Sequence, residues 1–91
     1  RLKERFEQLG CAQYLMHRTG HNIGHRCHGI GANLDDYETH DDRCLLPGTM
    51  FSIEPGLYTD KYGVRLEYDV HITSEGETKV YGPVQDEILV I

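Results

Sequence analysis

The longest alternating run of apolar and polar residues in this chain is Gly63-Val-Arg-Leu-Glu-Tyr-Asp-Val-His-Ile72. A period of two predicts a β-strand, because successive side chains of a strand point to opposite faces of the sheet. Apolar residues from Val64 onward would form one face, and polar residues, including Glu67, would form the other. The sequence therefore predicts one half-buried strand over residues 63–72 with Glu67 near its centre.

Further elements are predicted on either side of this strand. An opening helix is expected over residues 1–9, where Leu2, Phe6 and Leu9 recur at helical spacing and Gly10 would cap the end. Strands are also expected over residues 49–54, 78–81 and 86–91, with a turn at Pro47-Gly48. Together these elements predict an α+β fold, in which the helix covers the outer face of an antiparallel sheet.

Length and charge limit the classes of function. The chain has 91 residues and a net charge of −6, with 9 basic against 15 acidic residues. One domain over residues 1–91 is the most that this length supports. Nucleic-acid binding depends on basic side chains, so we expect no nucleic-acid partner. A membrane partner is not expected either, because no apolar run approaches the roughly 20 residues of a membrane span.

The cysteine pattern favours a reducing compartment. Cys11, Cys27 and Cys44 are an odd, scattered set, unlike the paired cysteines of small secreted domains. We therefore expect a cytoplasmic location. A zinc site formed by Cys27 with His25 and His28 is an alternative, but adjacent residues seldom converge on one tetrahedral ion and the spacing matches no common structural zinc pattern. On its own, His25 is interpreted as a surface histidine.

Side chains that can bind a metal occur on three separate segments. The segments are His17-Arg-Thr-Gly-His21 continuing to His28, Ser52-Ile-Glu54-Pro-Gly56, and Gly63-Val-Arg65-Leu-Glu67. Imidazole and carboxylate ligands together suit manganese, iron, cobalt or zinc. Each residue alone also has an ordinary interpretation: His21 as a loop histidine, Glu54 as a surface residue at a strand end, and Glu67 as one partner of a cross-strand charge pair.

The order of these segments, from about His17 to about Asp69, resembles the pita-bread metallopeptidases, especially the aminopeptidase P and prolidase (Xaa-Pro peptidase) branch. The resemblance implies that the α+β fold is the C-terminal half of a pita-bread domain. Residues 1–91 would then be a C-terminal fragment of a metallopeptidase catalytic domain.

The resemblance also implies the ligands of a dinuclear metal site. His21 and Glu54 match terminal ligands of one metal, and Glu67 matches the carboxylate that bridges two metals. The cofactors would be two divalent ions, with manganese expected first and cobalt, zinc or iron as alternatives. Two aspartates that complete such a site should lie well upstream of His21, and this chain lacks them. We therefore expect the isolated chain to have little or no peptidase activity.

Other residues gain catalytic roles from the same resemblance. His28 matches the histidine that contacts the substrate carbonyl, and His17 one that lines the substrate cleft. Arg65 would orient the bridging carboxylate or the substrate, and Tyr58 is a weaker candidate beside them. Metal-bound hydroxide would cleave a peptide after its N-terminal residue, with proline following, and Glu54 would also handle the proton of the water. Gly29 departs from the family, in which many members have an acidic residue at that position. The resemblance therefore does not predict the shape of the substrate pocket.

Two competing functions belong to other classes. Some relatives keep the pita-bread fold as non-catalytic modules that bind peptides or proteins, and the creatinase type hydrolyses a small molecule without metal. Retention of His21, Glu54 and Glu67 together favours the metallopeptidase. A half-domain would also leave apolar surface uncovered, so homo-oligomers or self-association are expected, and gel filtration would test for them.

Overall fold

The α+β prediction is confirmed in the computed structural model, which describes residues 2–91. The elements are α1 (Leu2–Gln8), a 3₁₀ helix (Ala12–Tyr14), β1 (Asn22–Ile23), β2 (Met50–Ile53), β3 (Gly56–Tyr58), β4 (Gly63–Arg65), β5 (Tyr68–Ile72) and β6 (Thr78–Tyr81). Within residues 2–91, no helix has the length and apolar character that crossing a membrane requires.

Antiparallel pairing organises the strands into two sheets. The larger sheet has the order β1-β2-β5-β6, and β3 pairs with β4 in the smaller one. Phe51 of β2 lies opposite Val70 of β5, and both are buried, with Val70 only 1% exposed. Ala32 is the third buried apolar residue. The core is therefore small and centred on the β2–β5 pair, close to the segments that carry the candidate ligands.

The opening helix ends as its sequence predicts. Gly10 has a φ of +69°, and the Cys11 amide donates to the Phe6 carbonyl at 2.9 Å, which closes the last turn. Within the described residues, α1 contacts the 3₁₀ helix and no strand, and none of its residues is buried. The expected position on the outer face of the sheet is therefore wrong, because the apolar residues of α1 pack against none of the described strands.

The single strand predicted over residues 63–72 is wrong. The chain forms β4 and β5 instead, and these belong to different sheets. The partner strands β2 and β3 are interrupted at the same level, and Pro55 lies in the gap between them. Because a proline cannot donate a hydrogen bond to a strand ladder, the pairing stops there on both sides. Glu67 consequently lies between two strands rather than at the centre of one. The strand β3 (Gly56–Tyr58) lies outside the strands predicted from the sequence, the nearest of which ends at residue 54.

Of the two strands predicted near the C-terminus of the sequence, one is present in the structure and one is not. The strand over residues 78–81 is confirmed as β6, which pairs with β5 across a turn at Ser74-Glu75. Residues 86–91 form no strand. Their apolar side chains are highly exposed, with Val90 at 94%, because no strand of the described residues pairs with them. Strand propensity without a pairing partner does not make a strand.

A single carboxylate organises the loop that precedes β2. The Asp41 side chain, 4% exposed, accepts two hydrogen bonds from the Arg43 guanidinium at 2.8 Å and one from the Asn33 amide at 2.8 Å. Arg43 also donates to the carbonyls of Ile30 and Gly31. The Arg43 guanidinium, followed by the Asn33 amide, holds the pKa of Asp41 well below its usual range. The acid is therefore ionised in the folded chain at every ordinary pH.

Asp41→Asn is expected to lower the urea midpoint of unfolding at pH 7, because the amide cannot accept the paired guanidinium bonds. A depressed folded-state pKa stabilises the fold above the unfolded value of about 4 and loses this effect as the pH falls below it. The difference between the urea midpoints of wild type and variant should therefore become smaller below about pH 4. Asp60→Asn, at an exposed position, is the matched control. A difference that does not change with pH would contradict this assignment.

Candidate metal centre

The backbone around His21 fixes the orientation of its imidazole. The His21 amide donates to Ser52 Oγ at 3.1 Å, and the Ser52 amide donates to the His21 carbonyl at 2.9 Å. His21 Nδ1 lies 3.0 Å from the Asn22 carbonyl oxygen. A carbonyl only accepts hydrogen bonds, so Nδ1 carries a proton, and in the neutral imidazole the lone pair is therefore on Nε2. His21 is 6% exposed, and its Nε2 is therefore a directed ligand atom.

Glu54 follows β2 directly and faces this lone pair. Its Oε1 lies 3.1 Å from His21 Nε2 and accepts a hydrogen bond from Ser52 Oγ at 3.1 Å. The Glu54 amide donates to the Thr19 carbonyl, and the side chain is 14% exposed. Glu54 and His21 are therefore held together by the same serine.

The strand register brings Glu67 opposite Glu54. Ile53 pairs with Tyr68 and Gly56 pairs with Arg65, in one continuous antiparallel register. Extending that register across the unpaired residues places Glu54 opposite Glu67. Two carboxylates at such positions repel each other unless a cation lies near both.

Arg65 supplies one such cation. Its Nη1 lies 3.7 Å from Glu54 Oε2, and its Nη2 lies 3.3 Å from Glu67 Oε2. Glu67 is more open than Glu54, at 43% exposed. The guanidinium thus links the two acidic side chains, and Glu67 joins the His21–Glu54 pair through Arg65 rather than by direct contact with His21.

His21 and Glu54 fit one divalent cation. Two ligands at bond lengths of about 2.0 to 2.2 Å lie roughly 3 to 3.5 Å apart on one ion, and their ligand atoms are 3.1 Å apart. A neutral imidazole lone pair and a carboxylate oxygen at this distance repel each other unless a proton or a cation lies between them. The donor set and its spacing are therefore compatible with a metal centre.

His17 and Tyr58 form a second contact near this pair. Tyr58 Oη donates to His17 Nε2 at 2.8 Å, since His17 Nδ1 carries the proton that it donates to the Arg18 carbonyl at 2.7 Å. The 3₁₀ helix contacts β3, which carries Tyr58. The structure thus brings His17, which the resemblance suggested for the substrate cleft, into contact with Tyr58, the weaker candidate.

His28 lies over His21, with ring centroids 4.2 Å apart and planes inclined by 35°. It is exposed, as is His25, which matches the interpretation of His25 as a surface histidine. Sequence reasoning missed Ser52, which is 0% exposed and bonds to both His21 and Glu54. The sequence nevertheless contains a signal for Ser52. Residues two apart on a strand share a face, and Ser52 precedes Glu54 by two residues in the predicted strand.

Comparisons with known proteins identify relatives of this chain. Residues 2–74 match metallopeptidase family M24. The probable dipeptidase PepE of Mycobacterium tuberculosis is 39% identical over 75 residues, which are 80% of this chain and 19% of that protein. The putative dipeptidase YkvY of Bacillus subtilis is 36% identical over 74 residues, or 77% of this chain and 18% of that protein. The chain spans about a fifth of the length of these curated relatives.

Solved structures show the same relationship. Dipeptidase PepE from Mycobacterium ulcerans superposes with a TM-score of 0.80 at 31% identity, over 96% of this chain and 22% of that one. The Xaa-Pro dipeptidase from Bacillus anthracis gives a TM-score of 0.80 at 32% identity, over 98% of this chain and 24% of that one. These structures have the pita-bread fold, so the predicted likeness to part of a pita-bread domain is confirmed.

Proposed function

The chain belongs to metallopeptidase family M24, and on this basis we propose that it supplies His21, Glu54 and Glu67 to a dinuclear metal site that hydrolyses Xaa-Pro peptides. The observation that carries the proposal is the 3.1 Å separation of His21 Nε2 and Glu54 Oε1, with the imidazole proton held on the opposite nitrogen. That arrangement presents a lone pair and a carboxylate oxygen to one point. Divalent ions bound there would polarise the scissile carbonyl and acidify a water molecule.

The chain's own residues provide orientation and proton handling. The Ser52 hydroxyl holds the Glu54 carboxylate towards His21, so the acid can also receive a proton from a nearby water. Arg65 fixes the relative positions of Glu54 and Glu67. Partners of this kind orient ligands, and their loss typically weakens metal binding by roughly 10- to 100-fold.

Substrate contacts are proposed for the histidines on either side of His21. His28 is exposed and lies next to the His21 ring, so it can donate a hydrogen bond to a substrate carbonyl as negative charge develops there. The Tyr58 hydroxyl fixes the His17 imidazole from the other side. Peptides are the proposed partners, and a cytoplasmic location and self-association stay predictions.

Two metals need more ligands than this chain provides. The proposed whole enzyme is a longer protein whose two aspartates complete the site, with manganese as the first choice of ion. The isolated chain should bind metal weakly and should not hydrolyse peptides, because affinity follows the number and charge of the ligands. Metal-dependent Xaa-Pro cleavage by the 91-residue chain would contradict this part of the proposal.

His21→Ala tests the proposed function directly. In the longer protein we expect bound manganese, measured by elemental analysis after dialysis, to fall from about two equivalents, with metal affinity reduced at least ~100-fold. Hydrolysis of an Xaa-Pro dipeptide should be lost with it. His25→Ala removes an exposed imidazole from the same loop and should change neither quantity. Full metal content and full activity in His21→Ala would refute the role proposed for His21, whereas a wild-type protein that binds no metal and cleaves no Xaa-Pro dipeptide would favour a non-catalytic binding module.

A further inference from the structure

A second group of metal-binding side chains meets at His21. Within residues 2–91, His21, Cys27 and His28 bring one ligand atom each to within 4.8 Å of one another. His21 is buried, whereas Cys27 and His28 are exposed. This group contains neither Glu54 nor Glu67, and it offers sulfur and nitrogen rather than oxygen.

The loop after β1 explains how adjacent residues reach one point. The Gly24 amide donates to the Arg26 carbonyl at 3.1 Å, which marks a tight bend, and the Gly29 amide returns to the Asn22 carbonyl at 2.8 Å. This path folds Cys27 and His28 back over His21 and leaves His25 outside the group. Cys27 and His28, two residues of the alternative zinc site considered from the sequence, belong to this group, whereas His25 does not and His21 takes its place.

We propose that His21, Cys27 and His28 form a distinct centre for a thiophilic divalent cation, with zinc as the expected ion. One thiolate and two imidazoles are typical zinc ligands, with bond lengths of about 2.3 Å to sulfur and about 2.0 to 2.1 Å to nitrogen. Ligand atoms on such an ion lie roughly 3.3 to 3.8 Å apart, so only a small closure of the exposed side chains is required. Binding transfers the thiol proton to solvent and leaves the fourth position for water.

The two centres compete for one nitrogen atom. His21 Nδ1 carries the proton donated to Asn22, so Nε2 alone can bind a metal, and it cannot serve Glu54 and Cys27 at the same time through separate ions. Carboxylate ligands suit harder ions such as manganese, whereas thiolate favours zinc. The identity of the bound ion would therefore decide which partner His21 takes. Binding at Cys27 does not depend on the proposed peptidase function.

Titration of the reduced 91-residue chain with Co²⁺ tests the centre, because a thiolate bound to cobalt gives a charge-transfer absorption in the near ultraviolet. We expect a saturable band at a single equivalent, abolished when zinc is added. Cys27→Ser should remove the band, and His28→Ala should weaken cobalt binding at least ~tenfold. Both side chains are exposed, and circular dichroism would verify that each variant folds.

Matched variants separate this centre from its surroundings. Cys11→Ser and Cys44→Ser each remove another free thiol, and His25→Ala removes the neighbouring imidazole, so all three should keep the band. Glu54→Gln should also keep it, although that change disrupts the proposed dinuclear site. Absence of a band in the wild-type chain, or its persistence in Cys27→Ser, would overturn the proposal while leaving the peptidase hypothesis untouched.

Discussion

Glu54→Gln should abolish Xaa-Pro hydrolysis in the proposed longer protein, in which two aspartates would complete the site. The amide has the size of the acid and can still accept the Ser52 hydroxyl bond, but it removes the negative charge that faces His21 Nε2 and Arg65. A bound metal contributes several kcal/mol to transition-state stabilisation, and each ~1.4 kcal/mol is tenfold in rate. We therefore expect kcat/KM to fall by at least ~1,000-fold.

A matched control separates the loss of this ligand from a general charge effect. Glu77→Gln makes the same chemical change at an exposed position in the turn between β5 and β6 and should leave kcat/KM within about twofold of wild type, as expected of surface substitutions. Excess manganese should partly restore Glu54→Gln if weak metal binding is the cause. Wild-type kinetics in Glu54→Gln without added metal would remove Glu54 from the site.

The elements that could be predicted from the sequence are those determined by local signals. The opening helix and the turn at Pro47-Gly48 follow from apolar spacing and from residues that favour a cap or a turn. The errors involve pairing over long distances. Residues 63–72 alternate like one strand, but the partner contains Pro55, and residues 86–91 have strand propensity without a neighbour among the described strands. Neither partner can be identified from a segment alone.

The site divides in the same way. Motif order suggested His21, Glu54 and Glu67 as ligands, and the structure places the first two at contact distance. The order of the motifs could not show that Arg65 lies between the two carboxylates, because that position depends on the register of β3 against β4. Strand alternation within residues 63–72 puts Arg65 and Glu67 on one face, but the pairing across the gap at Pro55 is a property of the folded sheet.

Gly20→Ala should destabilise the fold by about 3 kcal/mol or more. A Cβ atom at this buried position would lie 2.0 Å from the Ser52 carbonyl oxygen and 2.6 Å from Leu34 Cδ1, so backbone would have to move. Overpacking of this kind typically costs about 1 to 3 kcal/mol, and more where the neighbour is rigid. The displacement acts on the β2 segment that holds His21 and Glu54. Urea unfolding followed by circular dichroism would give the change.

Gly24→Ala is the control, since its added Cβ would meet only the Gly29 Cα at 3.5 Å, an ordinary contact. The free energy of unfolding should stay within about 1 kcal/mol of wild type, and it can rise because alanine restricts the unfolded chain. If Gly20→Ala binds metal as wild type does and unfolds at the same urea concentration as Gly24→Ala, the close approach of Gly20 to β2 does not hold His21 against Glu54. The geometric basis of the metal centre would then be wrong, because the position of His21 depends on the backbone passing β2 at that distance.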